Sequence, residues 1–459
     1  MREKTNNISK DLACNKDKTI ILHSPKLFET GFRLNVITGK CISLYSLFKK
    51  LGYEISFIDE NHKNINQESL ENFLENNPRL SDDNVIILTF LSKTDAYGPV
   101  LKKIAKRLDI IKEKYPCIRI YAFGYLAISA LNDLLEYTKI DGILTYDGIV
   151  SKEKTFTNDL SQIVNSKLNT YSSLKDIPEA YFENKKDSII SIDGSYGCRG
   201  HCSFCAYNMD ISSGWTKLNL DLAAQDIKFL YHKYGMHRFA FTDNDFGGSK
   251  EECIERSQTL YDQLRDIKNN ISISLNIRSE TLTRKSIDLL SGAGVKVFLI
   301  GVESFHPKNI KKIYGKSFCI NHLYDIVSYA DQKGIQVVSS YILWHAWQTI
   351  DDIKYEVEEI IRYGRFRIPQ FIANSIVRVM PGTSMEEKLR RNGLLIGEPF
   401  DRHFNFQDLN VRDLYRKVQN NFEDHIKPTL RNLNENNKED IRKVSQLKID
   451  EFNWFLSQL

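Results

Sequence analysis

The segment GSYGCRGHCSFCAYN, residues 194–208, places Cys198, Cys202 and Cys205 in a C-x3-C-x2-C spacing. Positions i, i+4 and i+7 share one helix face, so an apolar stripe is one reading. Gly197 and Gly200 bracket the first cysteine and argue for a loop instead. A structural zinc site would need a fourth ligand, and His201 lies directly beside Cys202. Iron–sulfur ligation suits the pattern better. Thiolates are soft ligands, and close spacing on a loop lets each reach a different iron. Three thiolates leave one iron of a cubane open to an outside chelating ligand.

The remaining cysteines, Cys14, Cys41, Cys117, Cys253 and Cys319, are scattered along the chain and are expected to be small buried hydrophobes or inert thiols. A chain of 459 residues needs more than one domain. Lys+Arg number 63 and Asp+Glu 59, a balance that gives no electrostatic reason to expect nucleic acid or a membrane surface. No stretch approaches the length of a membrane span. The opening MREKTNNISKDLACNKDK is polar and lacks the apolar run of a signal peptide, so a cytoplasmic protein is expected.

Working outward from the loop, short β-branched runs alternate with amphipathic stretches on both sides. Ahead of it lie the strand candidates 19–23, 54–59, 85–90, 118–123 and 142–146. Helical patterns fall at 41–51, ending at Gly52, and at 95–115. This alternation predicts a doubly wound parallel sheet over 18–150, after a disordered tail at 1–17. Residues 151–187 read as a linker. A second alternation has strand candidates at 188–193, 238–242, 272–276, 296–301, 336–342 and 370–379. Its pitch predicts a partial (β/α)6 TIM-like barrel over 188–399, followed by a helical C-terminal segment over 400–459. The sheet at 18–150 carries neither a G-x-G-x-x-G fingerprint nor a Walker A sequence.

C-x3-C-x2-C with Phe204 before the last cysteine, in the loop after the first strand of such a barrel, resembles the radical S-adenosylmethionine (SAM) superfamily. The resemblance implies a 4Fe-4S cluster on Cys198, Cys202 and Cys205. It also implies SAM chelated to the open iron and cleaved to a 5′-deoxyadenosyl radical. It extends to the strand ends. FTDNDF (241–246) offers Asp243 for the SAM amino end, and LNIRSE (275–280) offers Asn276 and Arg278. GVES (301–304) looks like a ribose-contacting G-x-E-S, with Glu303 and Ser304. PGT (381–383) matches a turn common in one large branch. Strand C-termini are where a barrel keeps its active site. Each of these residues has a plainer reading as a solvated turn residue or a rim ion pair.

Departures sharpen the picture. YILWHAWQT (341–349) stands where that branch has a glycine–proline-rich turn, and Trp344, His345 and Trp347 could form a substrate wall or pack as core. His345 and Arg378 are the catalytic candidates outside the cofactor set. No cysteine follows Cys319, which argues against a second, C-terminal cluster.

A doubly wound domain ahead of the barrel resembles the cobalamin-binding branch, as do SLKDIPEAY (173–181) and residues 84–108. That implies cobalamin between the domains at the C-terminal sheet edge. Against it, AFGYLAIS (122–129) has Gly124 alone between Phe123 and Tyr125, and TYDGI (145–149) replaces a glycine–glutamate turn. Two reactions therefore stay open on a small-molecule substrate. One is cobalamin-dependent methylation, and the other a cobalamin-free dehydration or epimerisation. An external electron donor such as flavodoxin or ferredoxin is implied in both. A non-catalytic metal-binding scaffold is the rival from another class. Modification of tRNA is disfavoured by the near-neutral charge.

Overall fold

Val85–Phe90 is buried at every residue, which marks it as the middle of a sheet covered on both faces. The computed structural model describes residues 18–25, 36–37, 41, 44–45, 48–49, 51–60, 69–81, 85–91, 98–145, 148–151, 173–176, 188–206, 214–433 and 437–459. The expected tail at 1–17, with Cys14, and most of the 151–187 linker lie outside them.

The first sheet runs in the order Glu54–Asp59, Thr19–Ser24, Val85–Phe90, Arg119–Phe123, Gly142–Thr145, Gly148–Ser151. Its first five strands are parallel, in the doubly wound order 2-1-3-4-5. The sixth turns back antiparallel on the fifth, with Thr145 opposite Gly148. The helix expected at 41–51 is present at its described residues and stops at Gly52, with Tyr53 N donating to Phe48 O at 3.0 Å. Helix Pro99–Lys114 lays Leu101, Ile104, Leu108 and Ile111 on the sheet. At the C-terminal edge His23 Nδ1 lies 3.4 Å from Thr89 Oγ1, and His23 Nε2 lies 3.3 Å from Glu60. Arg107 forks onto both Glu60 and Glu71. Burial works to raise the Glu60 carboxyl, yet Arg107 and His23 hold it well below the usual carboxylate range.

The second sheet is parallel throughout, in the order Gln336–Tyr341, Val295–Glu303, Ser272–Asn276, Arg238–Phe241, Ile189–Ile192, Val36–Ile37. Five of these match the expected barrel strands. The outermost is donated by the N-terminal part of the chain, Val36 pairing with Ile189. The sixth expected strand, 370–379, does not form a ladder. It meets the chain just beyond Gln336–Tyr341 at one bridge, Trp344 with Ile376, with Val377 N donating to Trp344 O at 2.9 Å, while two of its earlier donors go elsewhere. Ile372 N and Ala373 N donate to the two carboxylate oxygens of Glu451, at 2.7 and 2.9 Å. Glu451 belongs to the C-terminal helix Lys438–Leu456. Helix Leu409–Asn421 packs beside it, and Trp344 is buried between barrel and helices against Phe406, Tyr415 and Phe455.

The two halves are joined by a buried ion cluster. Arg402 forks onto Asp133, in helix Leu131–Tyr137, with one contact at 2.7 Å, and its Nε donates to Glu386 at 2.9 Å. Phe400, at φ +66°, donates its N–H to Asp133 and seats its ring in the N-terminal core. Among the described residues, no helix is long and apolar enough to cross a membrane.

Candidate active site

The cysteine loop leaves strand Ile189–Ile192 and is pinned at both ends. At its start, Gly194 N donates to Asp243 Oδ1 at 2.6 Å, and Gly194 O accepts from Arg256 Nη2 at 2.8 Å. Ser195 Oγ donates to Asp245 O at 3.0 Å. Gly197 sits at φ +76°, and a Cβ there would come within 2.0 Å of Gly214 O, so only glycine fits. Further on, Ser203 N donates to Tyr314 O at 2.9 Å and Ser203 Oγ to Ile313 O. Ser203 O accepts from Met385 N at 2.8 Å. Met385 opens helix Ser384–Arg391, capped by Thr383, so the PGT turn presents a helix N-terminus to the loop. Glu386, the residue gripped by Arg402, also accepts Gly382 N at 2.7 Å.

The three cysteines are partly buried on this loop. Among the described residues, no three His, Cys, Asp or Glu side chains are drawn into one metal-ligating group. Burial and the nearby Asp245 push the Cys198 thiol up to about 11, and burial raises Cys202 as well. Ligation needs thiolates, so a cation binding here would release protons and draw the sulfurs together. The donor set, three soft ligands on a braced loop at a strand end, fits an iron–sulfur cluster. Phe204 stands edge-on to the buried Tyr314, ring centroids 5.7 Å apart.

The strand-end residues divide into two groups. Asn276, Arg278 and Glu303 are only partly buried or have a charged partner at the rim. Arg278 pairs with Glu280 at 2.8 Å; burial works to lower its pKa, and Glu280 holds it above the ordinary value. Its charge acts on both Cys198 and Cys202. Glu303 adopts φ +68° and accepts from Ser340 Oγ at 3.0 and 3.2 Å, with Lys316 Nζ at 3.5 Å. A non-glycine residue in that region stores backbone strain, a mark common at ligand sites. Asn276 carries the strand end, its carbonyl accepting Phe246 N at 2.9 Å.

Asp243 and Ser304 turn inward. Asp243 is buried between Gly194 N and Arg256 Nη2, the latter at 3.5 Å, and burial pushes its carboxyl up to about 6. Ser304 donates to Glu356, which also accepts Phe305 N at 2.8 Å and Tyr341 OH at 2.5 Å. The carboxylate beside the cysteines is Asp245. Its Oδ1 accepts Gly247 N at 3.0 Å, and its buried Oδ2 has no hydrogen-bond partner. The alternating FTDNDF text carries that residue, but only the turn geometry separates it from Asp243.

Of the two readings of Trp344, His345 and Trp347, substrate wall or core, Trp344 and His345 take the second. Trp344 is core, its Nε1 donating to Ile372 O at 2.8 Å. His345 is buried, and burial lowers its pKa to about 3, which favours the neutral ring near neutrality. Trp347 is half-buried beneath Lys388 Nζ, 4.4 Å from the ring centroid. Arg378 is exposed. Of the scattered cysteines, Cys41 and Cys253 are buried as expected, whereas Cys117 and Cys319 are exposed.

The turn after Arg119–Phe123 packs tightly on the end of the neighbouring strand. Gly124 sits at φ +99° with Leu91 O 2.7 Å from where its Cβ would lie. Leu126 N and Leu91 N tie the same turn across the sheet at 2.9 and 2.8 Å.

Residues 192–360 match the profile of the Radical SAM superfamily. Among curated proteins, no sequence match is found. The whole fold is similar to the cobalamin-dependent S-adenosylmethionine radical enzyme OxsB, solved with aqua-cobalamin and SAM bound. The TM-score is 0.70 at 14% identity, over 97% of this chain and 72% of that one. It is also similar to the radical SAM methyltransferase TsrM from Kitasatospora setae, solved with cobalamin and a 4Fe-4S cluster bound. There the TM-score is 0.62 at 14% identity, over 82% of this chain and 75% of that one. At such identities the likeness is one of fold.

Proposed function

We propose that this chain, which carries a radical SAM domain over residues 192–360, is a radical SAM enzyme that acts on a small molecule in the cytoplasm. The observation that carries the reading is the braced loop of Cys198, Cys202 and Cys205 at the end of the first barrel strand, facing Arg278 and Asp245. The three cysteines would hold a 4Fe-4S cluster, and Asn276, Arg278 and Glu303 would line the SAM site. When bound, the pair supplies reductive cleavage of the sulfonium and a 5′-deoxyadenosyl radical. Asp243 and Ser304 act from behind, fixing the loop start and the Glu303 strand end through Gly194 and Glu356. Lys316 and Ser340 orient the Glu303 carboxylate, and Phe204 with Tyr314 shields the loop from water.

For the reaction class we favour cobalamin-dependent methyl transfer. The support is the doubly wound sheet ahead of the barrel and the shared fold with OxsB and TsrM. A cobalamin-free dehydration or epimerisation is the second reading, favoured by the lone Gly124 in a turn packed tightly on Leu91.

The test is anaerobic reconstitution with iron, sulfide, reductant and SAM. Release of 5′-deoxyadenosine or methionine is expected, and Cys198→Ala, Cys202→Ala and Cys205→Ala should each lose the cluster absorbance. A native protein with an intact cluster that leaves SAM whole would refute the enzyme reading. Refolding with hydroxocobalamin then separates the two reactions. Retained corrin absorbance with transfer of a labelled methyl group supports the first, and loss of corrin on gel filtration supports the second.

A further inference from the structure

The turn that braces the cysteine loop from outside reads HPKNIKKIYGKSF, residues 306–318, with four lysines and no carboxylate. In a chain whose charges nearly cancel, that is a local excess. Lys316 is taken by Glu303, and Lys308 lies 3.8 Å from Asp352. Lys311 and Lys312 are exposed, and neither has a carboxylate partner among the described residues. Helix Ser384–Arg391 adds Lys388, whose Nζ donates to Lys312 O at 3.0 Å and caps the Trp347 ring.

This face is also close to the cysteines through the covalent and hydrogen-bonded frame. Lys312 is followed by Ile313, whose carbonyl accepts Ser203 Oγ, and Ser203 adjoins Cys202. A second packed route runs through rings. Trp347 lies against His345 at 6.4 Å between centroids, His345 against Tyr314 at 5.8 Å, and Tyr314 against Phe204 at 5.7 Å. Phe204 sits directly before Cys205.

We infer that the Lys311–Lys312–Lys388 face with Trp347 is the docking surface for an acidic, low-potential one-electron carrier protein of the flavodoxin or ferredoxin kind. The inference rests on the radical SAM reading, which requires one electron per SAM cleaved. Electron transfer falls steeply with distance, so the donor must seat on a surface packed against the cysteine loop, as this face is through Ile313 and Ser203. Lys311 and Lys312, with Lys388 beside them on a second element, complement an acidic protein face and speed encounter. A small anion would instead call for a pocket with a few convergent buried groups. In the step itself the reduced carrier loses one electron, the protein-bound cluster gains it, and no proton need move.

The experiment uses the reconstituted holoenzyme and reduced flavodoxin, with cluster bleaching followed by stopped flow and donor affinity by titration. Lys311→Glu with Lys312→Glu should lower the second-order rate at low salt about tenfold, weaken the donor Kd by a similar factor, and flatten the salt dependence. Reduction by dithionite should be unchanged. The matched pair Lys417→Glu with Lys438→Glu, on exposed positions of the C-terminal helices, should leave both rates alone. Equal donor rates in the lysine pair and the native enzyme would overturn the assignment, as would a parallel loss with dithionite. So would loss of affinity for an RNA oligonucleotide with donor binding intact, which would make the face a nucleic-acid surface. If dithionite bleaches the cluster but SAM stays whole, the enzyme reading fails while the docking measurement still stands.

Discussion

Replacing Arg402 by methionine should cost this protein about 3–5 kcal/mol, the usual penalty for stranding buried charge. Asp133 is 2% exposed at its side chain and Glu386 10%, and Arg402, at 16%, bridges them. Methionine fills similar volume but strands the buried Asp133 carboxylate and leaves Glu386 with only the more exposed Arg390, at 2.9 Å. Set against a total stability of about 5–15 kcal/mol, the loss is large. At roughly 2–4 °C per kcal/mol, the first thermal transition should fall by about 6–20 °C. Arg402→Lys keeps the charge but loses the fork, and should fall between. Adding Asp133→Asn to the methionine variant removes one stranded charge and should recover part of the loss, which the double-mutant cycle reads directly. Hydrogen exchange supplies a second readout. Glu386 accepts Gly382 N, and Met385 N holds Ser203 O, so amides at 382–386 and in the cysteine loop should lose protection. A melting shift under about 2 °C, with exchange unchanged, would show that water already solvates these carboxylates, and the clamp argument would be wrong.

Three further outcomes are expected. Gly197→Ala forces a Cβ to within 2.0 Å of Gly214 O and should abolish iron incorporation, measured by elemental analysis, while strand-level circular dichroism persists. His345 is neutral when folded, with its pKa lowered by burial to about 3 from 6.5, so the unfolded chain binds the extra proton. Its contribution is therefore present above about 6.5 and lost as pH falls toward 3. Urea midpoints of the native protein and His345→Gln should diverge in shape across that window, and parallel curves would contradict it. Glu356→Gln puts an amide NH2 among donors from Ser304, Phe305 and Tyr341, so a loss of about 2–3 kcal/mol is expected in urea titration.

Much of this site is legible in the sequence because its constraints are local. Gly197 and the cysteine spacing report a loop that only certain backbones can trace, and GVES and LNIRSE end strands whose β-branched runs are plain. What escapes is the direction in which a side chain turns. Asp243 and Asp245 sit two apart, and the buried Arg256 decides that the first faces inward. Ser304 is claimed by Glu356, some fifty residues away on helix Ile350–Tyr363, a long-range contact with no local signature. The 370–379 run looks like a strand because it is apolar and β-branched, yet Glu451 in the last helix takes two of its donors, Ile372 N and Ala373 N. Trp344 reads equally as wall or core, and the C-terminal rings settle it as core.

The two-residue strand Val36–Ile37 has a consequence for how this protein is made and handled. It covers the edge of Ile189–Ile192, the strand that launches the cysteine loop. A barrel expressed from residue 188 onward would expose that edge, and bare parallel edges recruit other chains. The halves are therefore not interchangeable modules. During synthesis the early segment must wait on the order of 150 residues for its partner, a separation that slows closure. Until then the cysteine loop has no finished edge behind it, so pairing of Val36 with Ile189 must precede the bracing of that loop.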